Sequence, residues 1–252
     1  MSVLSLARDL RRRKARERHG TFVAEGLRTV SELLASPLPV RGALHTPDFA
    51  GSDRGAALIA QLRARGVEVQ AATDAEFASA AATDSPQGIL AIGVAPSRSI
   101  SDLPETDRVR VLVLDAVQDP GNVGTIIRTA AALGATATFS LPGTVDLWNA
   151  KVVRSAMGAH FDFPCLNGTW DELDEFRRER SVALWAADAS GESVESAEPP
   201  ARLALVVGNE GAGLSSHSRT RADRIVALPI ASAVESLNVA VAAGILLYEL
   251  RR

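Results

Sequence analysis

The run RVRVLVLDAV at residues 108–117 limits the fold more than any other stretch of the chain. It offers no polar face to water, so it reads as a strand buried on both sides, as in parallel sheets covered by helices. The sequence beyond it keeps a matching alternation. A helix at 123–133 closed by Gly134 is followed by a strand at 136–141, helices at 148–157 and 170–179, strands at 182–187, 203–208 and 224–228, and an apolar helix at 236–250. Strands and helices alternating at these lengths predict a parallel α/β sheet with helices on both faces.

A smaller α/β unit is expected upstream. A basic amphipathic helix at 4–16 precedes an extended piece at 21–24 and a helix at 25–35 stopped by Ser36 and Pro37. Strands at 40–45, 67–71 and 88–94 alternate with helices at 54–65, ended by Gly66, and 75–81. Residues 96–108, PSRSISDLPETDR, carry no periodicity and read as a linker. The predicted domains are therefore 1–95 and 109–252.

Composition narrows the class. With 46% hydrophobic, 23% charged and 4% aromatic residues over 252 positions, the chain can bury a core and is neither a disordered tail nor a disulfide-stapled scaffold. Cys165 stands alone, so no internal disulfide or thiolate metal site is expected and a reducing, cytoplasmic setting fits. No secretory leader is expected, because the sequence turns charged by Arg8, and the apolar run 239–247 is far short of the roughly 20 residues a membrane helix needs. Charge is unevenly spread: residues 1–45 hold nine basic and four acidic side chains, although the whole chain carries −3. Arg8, Arg11, Arg12, Arg13, Lys14, Arg16 and Arg18 are candidate phosphate contacts. A solvated helix face explains the same run equally well.

Ligands of open α/β sheets sit beyond the carboxyl ends of strands, which directs attention to three loops. In DAVQDPGNVGTIIRTAAALGA (115–135), Asn122 is placed to cap a helix and Arg128 stands out in an otherwise apolar segment; a capped helix with a surface arginine is the plain alternative. In LALVVGNEGAGLS (203–215), glycines 208, 211 and 213 permit close backbone approach, or simply a tight turn. Neither dinucleotide nor P-loop spacing is present, and Glu210 would repel a phosphate, so a cationic or hydroxyl-bearing ligand or an arginine partner fits it better. In the third, Pro229 ends a strand, Ser236 reads as an N-cap, and Asn238 just inside an apolar helix needs a partner.

Together these segments resemble the SpoU (TrmH-like) family of RNA ribose methyltransferases within the SPOUT superfamily. The resemblance rests on N-x-G-x-x-x-R-x-A at Asn122, Gly124, Arg128 and Ala130, on G-N-E-x-x-G-L from Gly208 to Leu214, and on Pro229 with S-L-N-V-x-V-A-A from Ser236 to Ala243. It covers roughly residues 109–252, and KVVRSAMGAHFDFP at 151–164 is similar to the family's intermediate segment. The N-terminal RDLRRRKARERHGTFVAEGLRTVSELL is similar to the family's L30e-like substrate-binding domain. The sequence departs from the family pattern at Ser232, where glycine is usual, and at Ala240, where serine is frequent, which bears on cofactor affinity.

The resemblance implies a parallel-sheet SPOUT domain closed by a deep trefoil knot, a homodimer, and S-adenosylmethionine as cofactor with no metal and no membrane. It implies methylation of a ribose 2′-hydroxyl in RNA, 23S ribosomal RNA ahead of transfer RNA; a non-catalytic RNA-binding protein of the same fold is the alternative. Cofactor contacts are expected from Gly208, Asn209, Glu210, Gly213, Leu228, Ile230, Leu237 and Asn238. Arg128 is expected to activate the hydroxyl, with Asn122, Glu210, Ser236 and Asn238 positioning the reacting groups, and Arg154 to join the N-terminal basic residues in holding RNA.

Overall fold

The computed structural model describes residues 1–231 and 236–251; Ser232 lies outside them. The chain forms two compact units, Met1–Ser97 with Trp148–Asp162, and Arg98–Leu147 with Phe163–Arg252.

The first unit is built on a four-stranded sheet of β1 (Thr21–Glu25), β2 (Val40–His45), β3 (Glu68–Ala71) and β4 (Ile89–Val94), in the order β1-β4-β2-β3. Strand β4 runs antiparallel to both its neighbours, and β2 is parallel to β3. One core gathers Leu6, Leu10, Leu44, Phe77, Leu90 and Ile92. Each such side chain contributes about 1.5–3 kcal/mol by leaving water.

The basic segment is not one helix but two, Val3–Asp9 and Arg13–His19. Leu10 drops into the core and Arg12 is extended, which breaks the expected run. The buried Arg16 guanidinium then donates to the carbonyls of Leu10 (2.7 Å) and Arg11 (3.1 Å), groups that a helix end leaves without partners.

Residues 148–162, expected in the C-terminal domain, pack in this first unit. The Trp148 ring lies 4.5 Å from that of Phe22 on β1, and Phe161 stacks on Phe22 at 5.8 Å. In a chain with few aromatics this cluster is a strong anchor.

The second unit holds β5 (Val109–Leu114), β6 (Ala137–Ser140), β7 (Cys165–Asn167), β8 (Ala183–Ser193), β9 (Arg202–Val207) and β10 (Arg224–Ala227), all parallel, in the order β10-β8-β9-β5-β6-β7. β5 is central and almost wholly buried, as its apolar run requires. Three-residue β7 has no readable period and escaped the sequence pattern. The linker is partly built into this core: Ile100 and Leu103 are buried there, and Arg180 donates to the carbonyls of Ser101 (2.9 Å) and Leu103 (2.5 Å). Cys165 is a buried free thiol whose ionisation burial pushes up, so it is chemically quiet. Among the described residues no helix is long and apolar enough to cross a membrane.

Two features of the sheet position the site. From β5 the chain winds outward through β6 and β7, whereas β9 lies on the other flank of β5, so the carboxyl ends of β5 and β9 border the switch point where crevices form. Strand β8 also takes a detour. Trp185 and Ala186 pair with Arg224 and Ile225, yet the next residues of β10 pair with Glu192 and Ser193, leaving 187–191 outside the ladder. A Cβ on Gly191 would stand 2.7 Å from the Ile225 and Val226 backbone, so glycine is required where the detour rejoins.

Candidate active site

The loop leaving β5 turns through Ala116, held at φ 58° although it is not glycine. Asp119, rather than Asn122, caps the helix Pro120–Ala132, its carboxylate accepting the Asn122 N–H at 2.7 Å. The Asn122 side chain is thereby left for other partners.

The loop leaving β9 folds on itself. Asn209 and Gly213 exchange backbone hydrogen bonds of 2.9 Å, and Asn209 Oδ1 accepts the N–H groups of Gly211 and Ala212. A Cβ on Gly208 would meet the Gly213 carbonyl at 2.4 Å, so the closure demands glycine there. Asn209 Nδ2 donates to the Ala116 carbonyl (2.8 Å), and buried Asp115 accepts the Ser215 N–H (2.8 Å) and the Ser218 hydroxyl (2.5 Å). The two loops are thus fastened at two points.

Glu210 supplies a third. One oxygen accepts the Gln118 N–H (3.2 Å) and the other the Asp119 N–H and Asn122 Nδ2 (3.1 Å each). Its protein partners are amides rather than an arginine. Partial burial pushes its pKa upward, but the hydrogen bonds from Asn122 and the backbone outweigh that and hold it below the usual glutamate value.

Asn238 closes the set. It is the N-cap of the helix Val239–Glu249, in place of Ser236, with Oδ1 accepting from Ala240 (2.9 Å) and Val241 (3.3 Å). Its Nδ2 donates to Asn122 Oδ1 at 2.9 Å. Asn238, Asn122 and Glu210, from three distant segments, form one chain of side-chain hydrogen bonds.

Beside this chain opens a cavity of about 450 Å³. Every residue expected to hold a cofactor lines it: Gly208, Asn209, Glu210, Gly213, Leu228, Ile230, Leu237 and Asn238, with Ser236 among them. Asp188 lines it too, carried by the β8 detour and missed by the sequence reading. Burial pushes the Asp188 pKa up, and the Arg219 guanidinium (2.5 Å) with the Ser190 hydroxyl and N–H more than reverse this. The signal was available, since Asp188 directly follows a predicted strand at its carboxyl end.

Arg128 is not on this wall. Six residues beyond Asn122 it has turned well away around the helix, and it lines a separate groove of about 510 Å³ with Thr125, Thr129, Ile245 and Tyr248. Val241, Ile245 and Tyr248, exposed by 50, 41 and 48%, form an apolar stripe on the last helix.

The sequence model of the SpoU rRNA methylase family matches residues 110–248, more than half the chain. The chain belongs to the SpoU rRNA methylase family. Residues 5–91 match the MRM3-like substrate binding domain. The chain is 35% identical over 245 residues to the 23S rRNA (guanosine(2553)-2′-O)-methyltransferase RlmP of Bacillus subtilis, covering 97% of this chain and 94% of that one. It is 30% identical over 244 residues to the 23S rRNA (uridine(2479)-2′-O)-methyltransferase of Streptomyces viridochromogenes, covering 94% and 84%. The crystal structure of the SpoU methyltransferase AviRb from Streptomyces viridochromogenes in complex with AdoMet superposes with a TM-score of 0.90 at 28% identity, over 100% of this chain and 97% of that one.

In this SpoU member the N-terminal basic residues are largely occupied within the chain. Arg8 and Arg11 bond to Ser79, Arg12 and Arg18 pair with Asp9, Arg13 pairs with Glu17, and Arg16 is buried on main-chain carbonyls. Burial removes Arg16 from the candidate phosphate contacts. Lys14 is exposed, and Arg154 lines a small cavity in the first unit.

Proposed function

We propose that this protein methylates a ribose 2′-hydroxyl of ribosomal RNA, 23S rRNA ahead of transfer RNA, with S-adenosylmethionine as methyl donor. The observation that carries the reading is the convergence of Glu210, Asn122 and Asn238 into one hydrogen-bonded chain, two members of which line a cavity. The relatives and the AdoMet-bound neighbour support it.

The cavity suits such a cofactor. Its volume falls in the roughly 300–1,000 Å³ range of small-molecule sites. Among the described lining residues the charged groups are Asp188 and Glu210, with no basic side chain. That balance favours a cationic nucleoside and disfavours a phosphate-bearing one. Gly208, Gly213, Leu228, Ile230 and Leu237 would hold it through backbone groups and apolar walls. When bound, S-adenosylmethionine supplies an electrophilic methyl on its sulfonium.

The chain's own residues supply positioning and charge. Glu210, ionised at neutral pH, fixes the start of the helix Pro120–Ala132 through two backbone amides and orients Asn122. Asn122 in turn fixes the start of the last helix through Asn238. Arg128 holds the RNA and stabilises the ribose oxygen as its proton passes to an RNA phosphate. A guanidinium is a fixed donor with no acceptor, so electrostatic stabilisation, not proton abstraction, is its role. Its groove beside the apolar stripe supports a homodimer across that face, with Arg128 completing the site there. We further propose the family's trefoil knot for the C-terminal chain, an L30e-like RNA-reading role for the N-terminal unit, and a cytoplasmic setting.

The test is transfer of labelled methyl from S-adenosylmethionine to 23S rRNA transcripts, with transfer RNA as the competing substrate. Label in 2′-O-methyl nucleotides of 23S rRNA is the expected result; label in transfer RNA alone, or none, overturns the reading. Arg128→Ala is expected to keep cofactor affinity by calorimetry and lose about 10²–10⁴-fold in turnover.

A further inference from the structure

Most arginines of the first unit are spent inside the chain, and of those that are not, two share one cavity. Among the described residues Arg28 and Arg154 make no side-chain hydrogen bond or ion pair, and both line a cavity of about 220 Å³. Arg28 stands in the first turn of the helix Leu27–Ala35, and Arg154 on the helix Ala150–Ser155. The pocket also receives Thr83, Ser85 and Gln87.

The remaining polar groups are arranged to leave the arginines available. Glu25, the acid in this pocket, is buried and accepts the Ala82 N–H (2.7 Å) and the Thr83 hydroxyl. Two guanidinium groups against one carboxylate leave a net positive pocket. The helix Leu27–Ala35 begins at Gly26, which offers no side-chain cap, and its first turn holds no acid. An anion there meets helix amides as well as both arginines. Gln87 Oε1 accepts the Leu27 N–H (2.9 Å), which turns its NH₂ group into a donor for a base edge or ribose oxygen.

We propose that this pocket binds one nucleotide of an unpaired RNA segment, with Arg28 and Arg154 on its phosphate and Gln87, Thr83 and Ser85 on its sugar or base. The volume lies below the roughly 300–1,000 Å³ of whole-ligand sites and suits part of a nucleotide, the rest staying at the open rim. Unpaired RNA presents splayed nucleotides of this kind, which duplex RNA does not. The inference rests on the RNA-methylation reading and adds to it where the RNA is held.

The experiment uses the full chain and a 23S rRNA transcript as probe, with affinity measured by filter binding across a salt series and S-adenosylmethionine affinity measured in parallel. Arg28→Ala/Arg154→Ala is expected to weaken RNA binding about tenfold or more and to reduce the salt slope by about one to two. The melting temperature and cofactor affinity should stay at wild-type values. Arg12→Ala/Arg13→Ala is the matched control of equal charge loss. If the pocket variant binds RNA within twofold of wild type while the wild type methylates, the pocket is overturned and the function stands. If the wild type binds and methylates no 23S rRNA, the functional reading falls and takes the pocket with it. Inorganic phosphate is the last arm: binding that depends on both arginines, with RNA affinity unchanged in the double variant, marks a free-anion site and overturns the proposal.

Discussion

The two units treat their polar side chains in opposite ways. In the second, Glu210, Asn122 and Asn238 bond to one another and to the starts of two helices, so residues that look catalytic in the sequence are also what joins the loops. In the first, the conspicuous charge run is largely consumed locally, by Asp9, Glu17, Ser79 and main-chain carbonyls, while Arg28 and Arg154 are among the cations left unspent and share one cavity. The contrast teaches that charge density along a chain is a poor guide to which cations the fold leaves unpaired. Exposed ion pairs contribute only about 0–1 kcal/mol, but each one still occupies the cation.

Removing Glu210 should break the contrast most severely. Glu210→Ala strips acceptors from two amides and from Asn122, and loop misplacement of this kind costs about 10²-fold in turnover. Glu210→Gln, which keeps part of the accepting capacity, should retain more, and a paired turnover and cofactor-affinity assay ranks them. The same residue predicts a pH profile. Its pKa in the folded protein is below the usual 4.5, so its stabilising contribution is complete above about pH 4.5 and is lost only as pH falls through the lowered value. Glu210 should therefore introduce no change in cofactor affinity between neutral pH and about pH 5; a decline in that interval that disappears in Glu210→Gln would contradict the assignment.

Arg16→Ala comes next. Losing charge-assisted bonds to two carbonyls is expected to cost about 1.5–3 kcal/mol, lowering the melting temperature by roughly 3–10 °C. The residue belongs to a basic run, yet RNA affinity measured below the transition should hardly move. The smallest effect is expected for Arg12→Ala/Arg13→Ala, with stability within about 1 kcal/mol. A large loss of RNA affinity in that variant would restore the basic helices as the reader and undo the comparison.

How much of this was legible in advance depended on whether the signal was local. The apolar run of β5 announced its burial, whereas the eight expected cofactor contacts, which all line one cavity, were legible through the resemblance to family motifs rather than through any local signal. Helix caps were misread by a few residues: Asp119 and Asn238 do the work assigned to Asn122 and Ser236. Local propensity cannot rank adjacent capping residues when tertiary hydrogen bonds decide between them. The placement of 148–162 was invisible for another reason. Nothing near Trp148 in sequence reveals that its ring belongs on Phe22, more than a hundred residues away. Cutting the chain at residue 95 would accordingly strip Trp148 and Phe161 of their aromatic neighbour, so such a truncation tests folding as much as RNA binding.

The five residues of β8 that leave the ladder are held to the strands where they depart and where they return, at Ala186 and at the glycine-tight junction with β10, and between those points by the Asp188–Arg219 ion pair. Lengthening or shortening that excursion would resize the chamber around Asp188 without disturbing a single buried strand pair. The excursion is thus an adjustable wall in an otherwise rigid vessel.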